Sequence, residues 1–196
     1  MKYEFTGEVK VVFGVSLKRI RALVTIAGVV NAGDVGGWIE SEKNLSQVYG
    51  DAWVSGNAQV SGDAWVYGDA WVYGDAWVSG NARVSGDAQV SGDAWVSGNA
   101  QVSGDAWVYG DAWVSGNARV YGNAAICFFG GFGSAYRQTT AFIDSEIKIR
   151  ITCGCFTGSL SDFRASVIKT HGEESKHGKT YLGIANLIEY HFSEIV

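Results

Sequence analysis

Val48-Tyr49-Gly50-Asp51-Ala52-Trp53 opens a run of thirteen uninterrupted hexapeptides that closes with Val120-Tyr121-Gly122-Asn123-Ala124-Ala125. The shared pattern is Val-[Ser/Tyr]-Gly-[Asp/Asn]-Ala-x, with Trp, Gln or Arg at x in all but the last copy. A period of six cannot keep one helical face apolar, and a glycine in every turn would cost a helix about 1 kcal/mol each. Short strands fit. In Ala-Trp-Val-Ser, alternation sends Ala and Val to one side and Trp and Ser to the other, and Gly-Asp or Gly-Asn then makes the bend. Three strands per turn give an 18-residue triangular coil. Coils stacked about 4.8 Å apart make a parallel β-helix of about four turns, with Val and Ala inside and Trp outside.

Taken every 18 residues, the outward positions sort into three faces. One carries Trp53, Trp71, Gln89 and Trp107, the second Gln59, Trp77, Trp95 and Trp113, and the third Trp65, Arg83, Gln101 and Arg119. The bends sort as well. Asp51, Asp69, Asp87 and Asp105 share one edge; Asp75, Asp93 and Asp111 follow Asn57 on the second; Asp63 precedes Asn81, Asn99 and Asn117 on the third. Carboxylates about 5 Å apart repel by about 1 kcal/mol even in water, so a cation or a basic partner would relieve such ladders. Asp and Asn are equally good bend residues, so duplicated turn chemistry explains the columns too. The Trp columns are candidate platforms for a partner or for a second copy of the chain.

Composition narrows the classes. At 47% apolar and 18% charged, the 196-residue chain is too hydrophobic for a disordered polymer. No apolar run approaches the roughly 20 residues of a membrane span. Glycine occurs 27 times and proline never, as expected of many identical bends. A net charge of −5 argues against direct nucleic-acid binding. Three cysteines make no disulfide framework, and Met1 to Gly7 has no apolar leader, so the expected compartment is the cytoplasm.

Three segments follow. Residues 1–47 hold strand-like runs (Tyr3-Glu4-Phe5, Val9 to Phe13, Leu17 to Ile26) and a basic cluster at Lys18, Arg19 and Arg21, and are expected to cap the open end of the β-helix. Residues 48–125 are the repeats. Residues 126–196 read as a small α+β module. There Phe128 to Gly133 is a hinge or an aromatic plug, Thr139–Ile143 and Ile147–Cys153 form a hairpin, and two helices follow. The first is capped by Ser159 or Ser161 and ended by Gly172; the second starts near Lys179 with Tyr181, Ile184, Ile188 and Phe192 inward.

The hexads resemble the left-handed β-helix of many acyltransferases and of γ-class carbonic anhydrases, and that resemblance implies the handedness. The lead-in Ala32-Gly33-Asp34-Val35-Gly36-Gly37-Trp38-Ile39-Glu40-Ser41-Glu42-Lys43-Asn44-Leu45-Ser46-Gln47, after Leu17 to Leu23, is similar to that of a family of bacterial, prophage and phage β-helix proteins. Together with the repeats it covers about two thirds of the chain. Hexapeptide acyltransferases use a His base and a loop that interrupts the repeat, and γ-class carbonic anhydrases hold zinc with three His. Here His171, His177 and His191 all lie beyond the hexads, which contain no insertion.

The expected function is therefore non-catalytic binding of a protein with a basic surface, through the acidic edges and the Trp faces. In the phage-like setting that the resemblance implies, the partner is a host defence enzyme that the protein inhibits. An acyltransferase-like enzyme and a structural assembly component, a homo-oligomer (trimer or dimer) packed through its Trp faces, are the alternatives. No cofactor is expected. The candidate metal ligands are Cys127, Cys153, Cys155 and His171, although their spacing lacks the second matched pair of a zinc motif.

Overall fold

In the computed structural model, residues 1–133 and 136–195 are described. Ser134, Ala135 and Val196 of the C-terminal segment lie outside the described residues. Twelve two-residue strands, β4 (Trp53–Val54) through β15 (Arg119–Val120), begin every six residues. They pair in parallel with the strands 18 residues away, Trp77 beside Trp95 and Trp95 beside Trp113, for example. Three sheets result, one per face of a parallel β-solenoid. The rungs are held by main-chain bonds such as Trp71 N–H to Ala88 O and Tyr73 N–H to Val90 O, both 2.9 Å. The Val side chains from Val54 to Val120 and the Ala side chains from Ala52 to Ala118 fill the interior at 0–1% exposure.

The solenoid has about five turns, because the lead-in supplies one ahead of the hexads. β3 (Val35–Ile39) pairs in parallel with Gln59–Val60, and Leu45 bridges to Val66. Gly36 and Gly37 allow this. A Cβ at Gly36 would stand 2.7 Å from the Trp53 ring and from Ile20 Cγ1, and one at Gly37 would stand 2.7 Å from Val54 Cγ1. The rest of the lead-in closes the exposed rung with side chains. Asn44 donates to Gly62 O and Ala64 O, Glu40 accepts from Gly62 N–H, and the Gln47 amide pairs with the main chain of Lys2 and Tyr3 as a strand would. The antiparallel hairpin of β1 (Tyr3–Val12) and β2 (Val15–Ala22) continues the same sheet. Its basic residues are engaged within the N-terminal cap: Arg21 with Glu4, Arg19 and Lys10 over the Trp38 ring of β3, Lys18 over Phe5.

At the other end the chain forms an antiparallel sheet of β16 (Ile126–Phe129), β17 (Thr139–Asp144), β18 (Lys148–Cys153) and β19 (Phe156–Ser159). The expected hairpin is its centre. Phe128 and Phe129 are in a strand rather than a hinge, since pairing with Thr139 and Thr140 satisfies their main chain. One sheet face seals the solenoid: Thr152 Oγ1 donates to Trp113 O, Gln138 to Tyr109 O, and Phe142 joins the solenoid core. The other packs Ala141 and Ile151 against α1 (Leu160–His171) and α2 (Lys176–Phe192). Ser159 caps α1 and Gly172 ends it. Ser175 caps α2, which starts one turn before Lys179. Tyr181, Ile184, Ile188 and Phe192 all face inward. Neither helix is long and apolar enough to cross a membrane.

The Asp144 carboxylate organises the β17–β18 turn, while its main chain bridges to Ala118 of the last coil. Burial works to raise its pKa, but Arg150 at 2.7 Å and the N–H groups of Glu146 and Ile147 hold it below the usual carboxylate value. A carboxylate depressed in the folded state stabilises above the unfolded value of about 3.9 and loses that contribution as pH falls through the depressed value. D144N is therefore expected to lower stability by roughly 2 kcal/mol at neutral pH, and much less in acid, as urea melts at both pH values will read. G92A is expected to cost about 2 kcal/mol, since Gly92 sits at φ +68° and a Cβ would stand 2.9 Å from Gly110 N. An unchanged urea midpoint for G92A would contradict the corner geometry.

Candidate binding face of the solenoid

The register places each outward column on one face. Trp53, Trp71, Gln89 and Trp107 align on the first, Gln59, Trp77, Trp95 and Trp113 on the second, and Trp65, Arg83, Gln101 and Arg119 on the third. The faces differ in how far they satisfy themselves. On the second, Trp77, Trp95 and Trp113 stack at 5.3 and 5.5 Å with interplanar angles of 8° and 11°, and Phe13 from the hairpin turn stacks on Trp77 at 5.3 Å. The indoles of Trp77 and Trp95 donate to Ser61 and Ser79. On the third face Trp65 lies on Tyr67 at 4.1 Å, while Arg119 donates to Gln101 and Tyr121.

The first face makes such contacts too, Trp107 donating from its indole to Ser91 and Tyr73 from its hydroxyl to Gln89, yet it carries the most exposed indole of the repeats. Its exposed aromatic surface is concentrated at Trp107 (47% exposed) and Tyr109 (43%), with Trp71 and Tyr73 half-buried beside exposed Gln89. Trp71, Tyr73, Gln89, Ser55 and Val29 line a shallow depression. Trp53 is not on an exposed platform: it is 1% exposed, because the hairpin and Gly36 cover the N-terminal end of this face.

Both acidic edges border this one face. Successive coils read Asp69-Ala70-Trp71-Val72-Tyr73-Gly74-Asp75, Asp87-Ala88-Gln89-Val90-Ser91-Gly92-Asp93 and Asp105-Ala106-Trp107-Val108-Tyr109-Gly110-Asp111, a carboxylate on each margin of every rung. All six carboxylates are exposed. The six-residue spacing of these pairs was visible in the sequence. What sequence reasoning missed is that the two acidic edges flank one and the same face.

The N-terminal ends of the edges meet the chain's own lysines. Lys43 forms a 2.7 Å ion pair with Asp63, which lowers the Asp63 pKa. Burial lowers the Lys2 pKa, while Asp51 and Asp69 act to restore it; Asp75 acts likewise on Lys10, whose pKa burial and Arg19 lower. Asp51 N–H donates to Asp69 Oδ1, and Asn57 Nδ2 to Asp75 Oδ1, so a neighbouring bend can absorb a carboxylate. Farther along, Asp87, Asp93, Asp105 and Asp111 form no ion pair among the described residues.

The candidate metal quartet does not assemble: among the described residues no three His, Cys, Asp or Glu side chains converge as a metal-binding group. Cys127 is largely buried on β16, and burial pushes its thiol up to about 12. Cys153, Cys155 and His171 do share a cavity of about 240 Å³, together with Arg137 and Tyr181.

Comparison with known families agrees with the architecture. The YdcK beta solenoid repeat matches residues 46–62, 58–74, 76–92, 88–104, 100–116 and 112–127, six segments of the repeat region. No curated protein matches the chain.

Indole exposure gives a direct test. Acrylamide, a neutral quencher indifferent to the acidic edges, is expected to reach Trp65, Trp95 and Trp107, which are 39–47% exposed. W107F should lower the quenchable fraction, and W53F should raise it by removing a shielded emitter from the total. The reverse pattern would contradict the assignment of Trp53 to the covered end and Trp107 to the open end.

Proposed function

We propose that the protein is a non-catalytic binding protein that presents the first face of its solenoid, with both acidic margins, to a basic surface on a protein partner. The observation that carries this reading is the pairing of Asp69 with Asp75, Asp87 with Asp93 and Asp105 with Asp111 across an aromatic strip. Residues 48–125 hold eight acidic and two basic residues, whereas the flanking segments are near neutral. Each column repeats its carboxylates at the rung spacing of about 4.8 Å, where neighbours repel by about 1 kcal/mol even in water. A cationic partner would relieve that repulsion, and Lys43 shows at Asp63 that a bend carboxylate can take an ion pair. Trp107 and Tyr109 would supply the apolar contact that charge alone lacks.

The narrower version rests on the lead-in's resemblance to phage and prophage proteins. In it, the partner is a host defence enzyme in the cytoplasm, and two parallel rows of negative charge occupy a basic channel built for nucleic acid.

Asn already replaces Asp at Asn57, Asn81, Asn99, Asn117 and Asn123, so D69N, D87N, D93N and D105N together should preserve the fold while removing four charges. The expected result is a melting temperature that holds or rises. A partner captured from host lysate by the wild-type chain should be lost with the quadruple variant, and its affinity should depend more steeply on salt with the wild type. Equal capture by both proteins would remove the acidic margins from the binding surface and overturn this reading.

A further inference from the structure

The cavity beside the C-terminal helices has chemistry unrelated to the acidic prism. It opens between the β18–β19 turn and the faces of α1 and α2, and its lining contains no carboxylate. Arg137 lines it and makes no ion pair or side-chain hydrogen bond among the described residues. Asp111 lines an adjoining cavity that Arg137 also borders, without closing an ion pair to it. The guanidinium is seated by Gly154, which has φ +59°; a Cβ there would collide with Arg137 Nη1 and Cδ. Phe156, Phe163 and Val167 form apolar walls, with Phe156 and Phe163 tilted at 5.4 Å. The His171 ring lies on Tyr181 at 5.5 Å, and the hydroxyls of Ser166 and Thr170 stand along the α1 side.

We propose that this cavity binds a small monocarboxylate with a flat, apolar body. A guanidinium with uncommitted donors recognises a planar carboxylate through two parallel hydrogen bonds. Phe156, Phe163 and Val167 offer apolar surface to the rest of the ligand, with the few hydroxyls of Ser166 and Thr170 beside it, the arrangement usual for small-molecule sites. With a water's share of liquid at about 30 Å³, a cavity of about 240 Å³ suits a body of roughly eight to twelve non-hydrogen atoms. Benzoate has this size and shape. The site is independent of the proposed prism surface, so either can fail without the other.

The test is an amide-detected NMR titration of the full chain with benzoate, with benzamide of the same shape but no charge, and with benzylamine of opposite charge. Benzoate is expected to shift the amides of Cys155, Phe156 and Thr170 saturably, benzamide to bind at least about tenfold more weakly, and benzylamine not at all. R137Q should weaken benzoate at least about tenfold and leave benzamide unchanged. S166W, placed at the α1 wall, should block both. No saturable benzoate shift up to about 20 mM, equal binding of benzoate and benzamide, or full benzoate affinity in R137Q would overturn the proposal. Should R137Q fail to fold, the charge series on the wild-type chain and the S166W block still decide it.

Discussion

Each corner of the solenoid presses a glycine backbone against the glycine one turn further on. At Gly86 and Gly98, for example, an added Cβ would stand 3.0 and 2.9 Å from the amide nitrogen of the next coil's glycine. These residues also occupy positive φ, near +65° and +68°, where a side chain is strained. The two demands together leave the corner residue no alternative, and they draw the coils to strand spacing all along the stack. With the spacing fixed, Val and Ala pack into the interior, and every outward side chain meets its equivalent in the neighbouring turn. The Trp stack, the Asn ladder and the carboxylate columns all descend from that contact.

Repetition makes chemistry as well as architecture. A side chain that can stack or donate to its own copy forms a contented column, as Trp77, Trp95 and Trp113 do, and as Asn81, Asn99 and Asn117 do through amide-to-amide bonds of 3.1 Å. A carboxylate cannot do this for another carboxylate. Replacing Asn by Asp along two corners therefore turns a self-satisfied edge into a column of exposed like charges, and both such corners border one face. The ends of the stack are managed by different means: amide side chains of Asn44 and Gln47 complete the first rung, and an antiparallel sheet covers the last. Open rungs would otherwise recruit other chains.

The hexad exposed the solenoid, the grouping of its faces and the identity of its core because one strict period sets all three. The helices were legible from Ser159, Gly172 and the inward stripe of Tyr181, Ile184, Ile188 and Phe192, which are local signals. Other features depend on partners distant in sequence. Gly36 to Ile39 looks like a loop until Gln59 and Val60 are placed beside it. Phe128 and Phe129 lie among glycines, and only pairing with Thr139 and Thr140 makes them a strand. Trp53 follows the repeat faithfully, and its burial is imposed by a hairpin some thirty residues earlier in the chain. Arg137 has no motif around it; its cavity comes from the β18–β19 turn and two helices meeting.

The equivalence of positions 18 residues apart has a mechanical meaning for how such a chain can change length. Gain or loss of one 18-residue unit slides the C-terminal sheet and helices along the axis by about 4.8 Å, with every column still aligned to its old neighbours. Gain or loss of a single hexad preserves the local sequence pattern equally well, yet it rotates everything downstream by a third of a turn. A carboxylate column would then run into the asparagine column midway along the stack, and the C-terminal module would point from a different side. The solenoid is thus a ruler in one step size and a rotary joint in the other, and the arithmetic of duplication decides which.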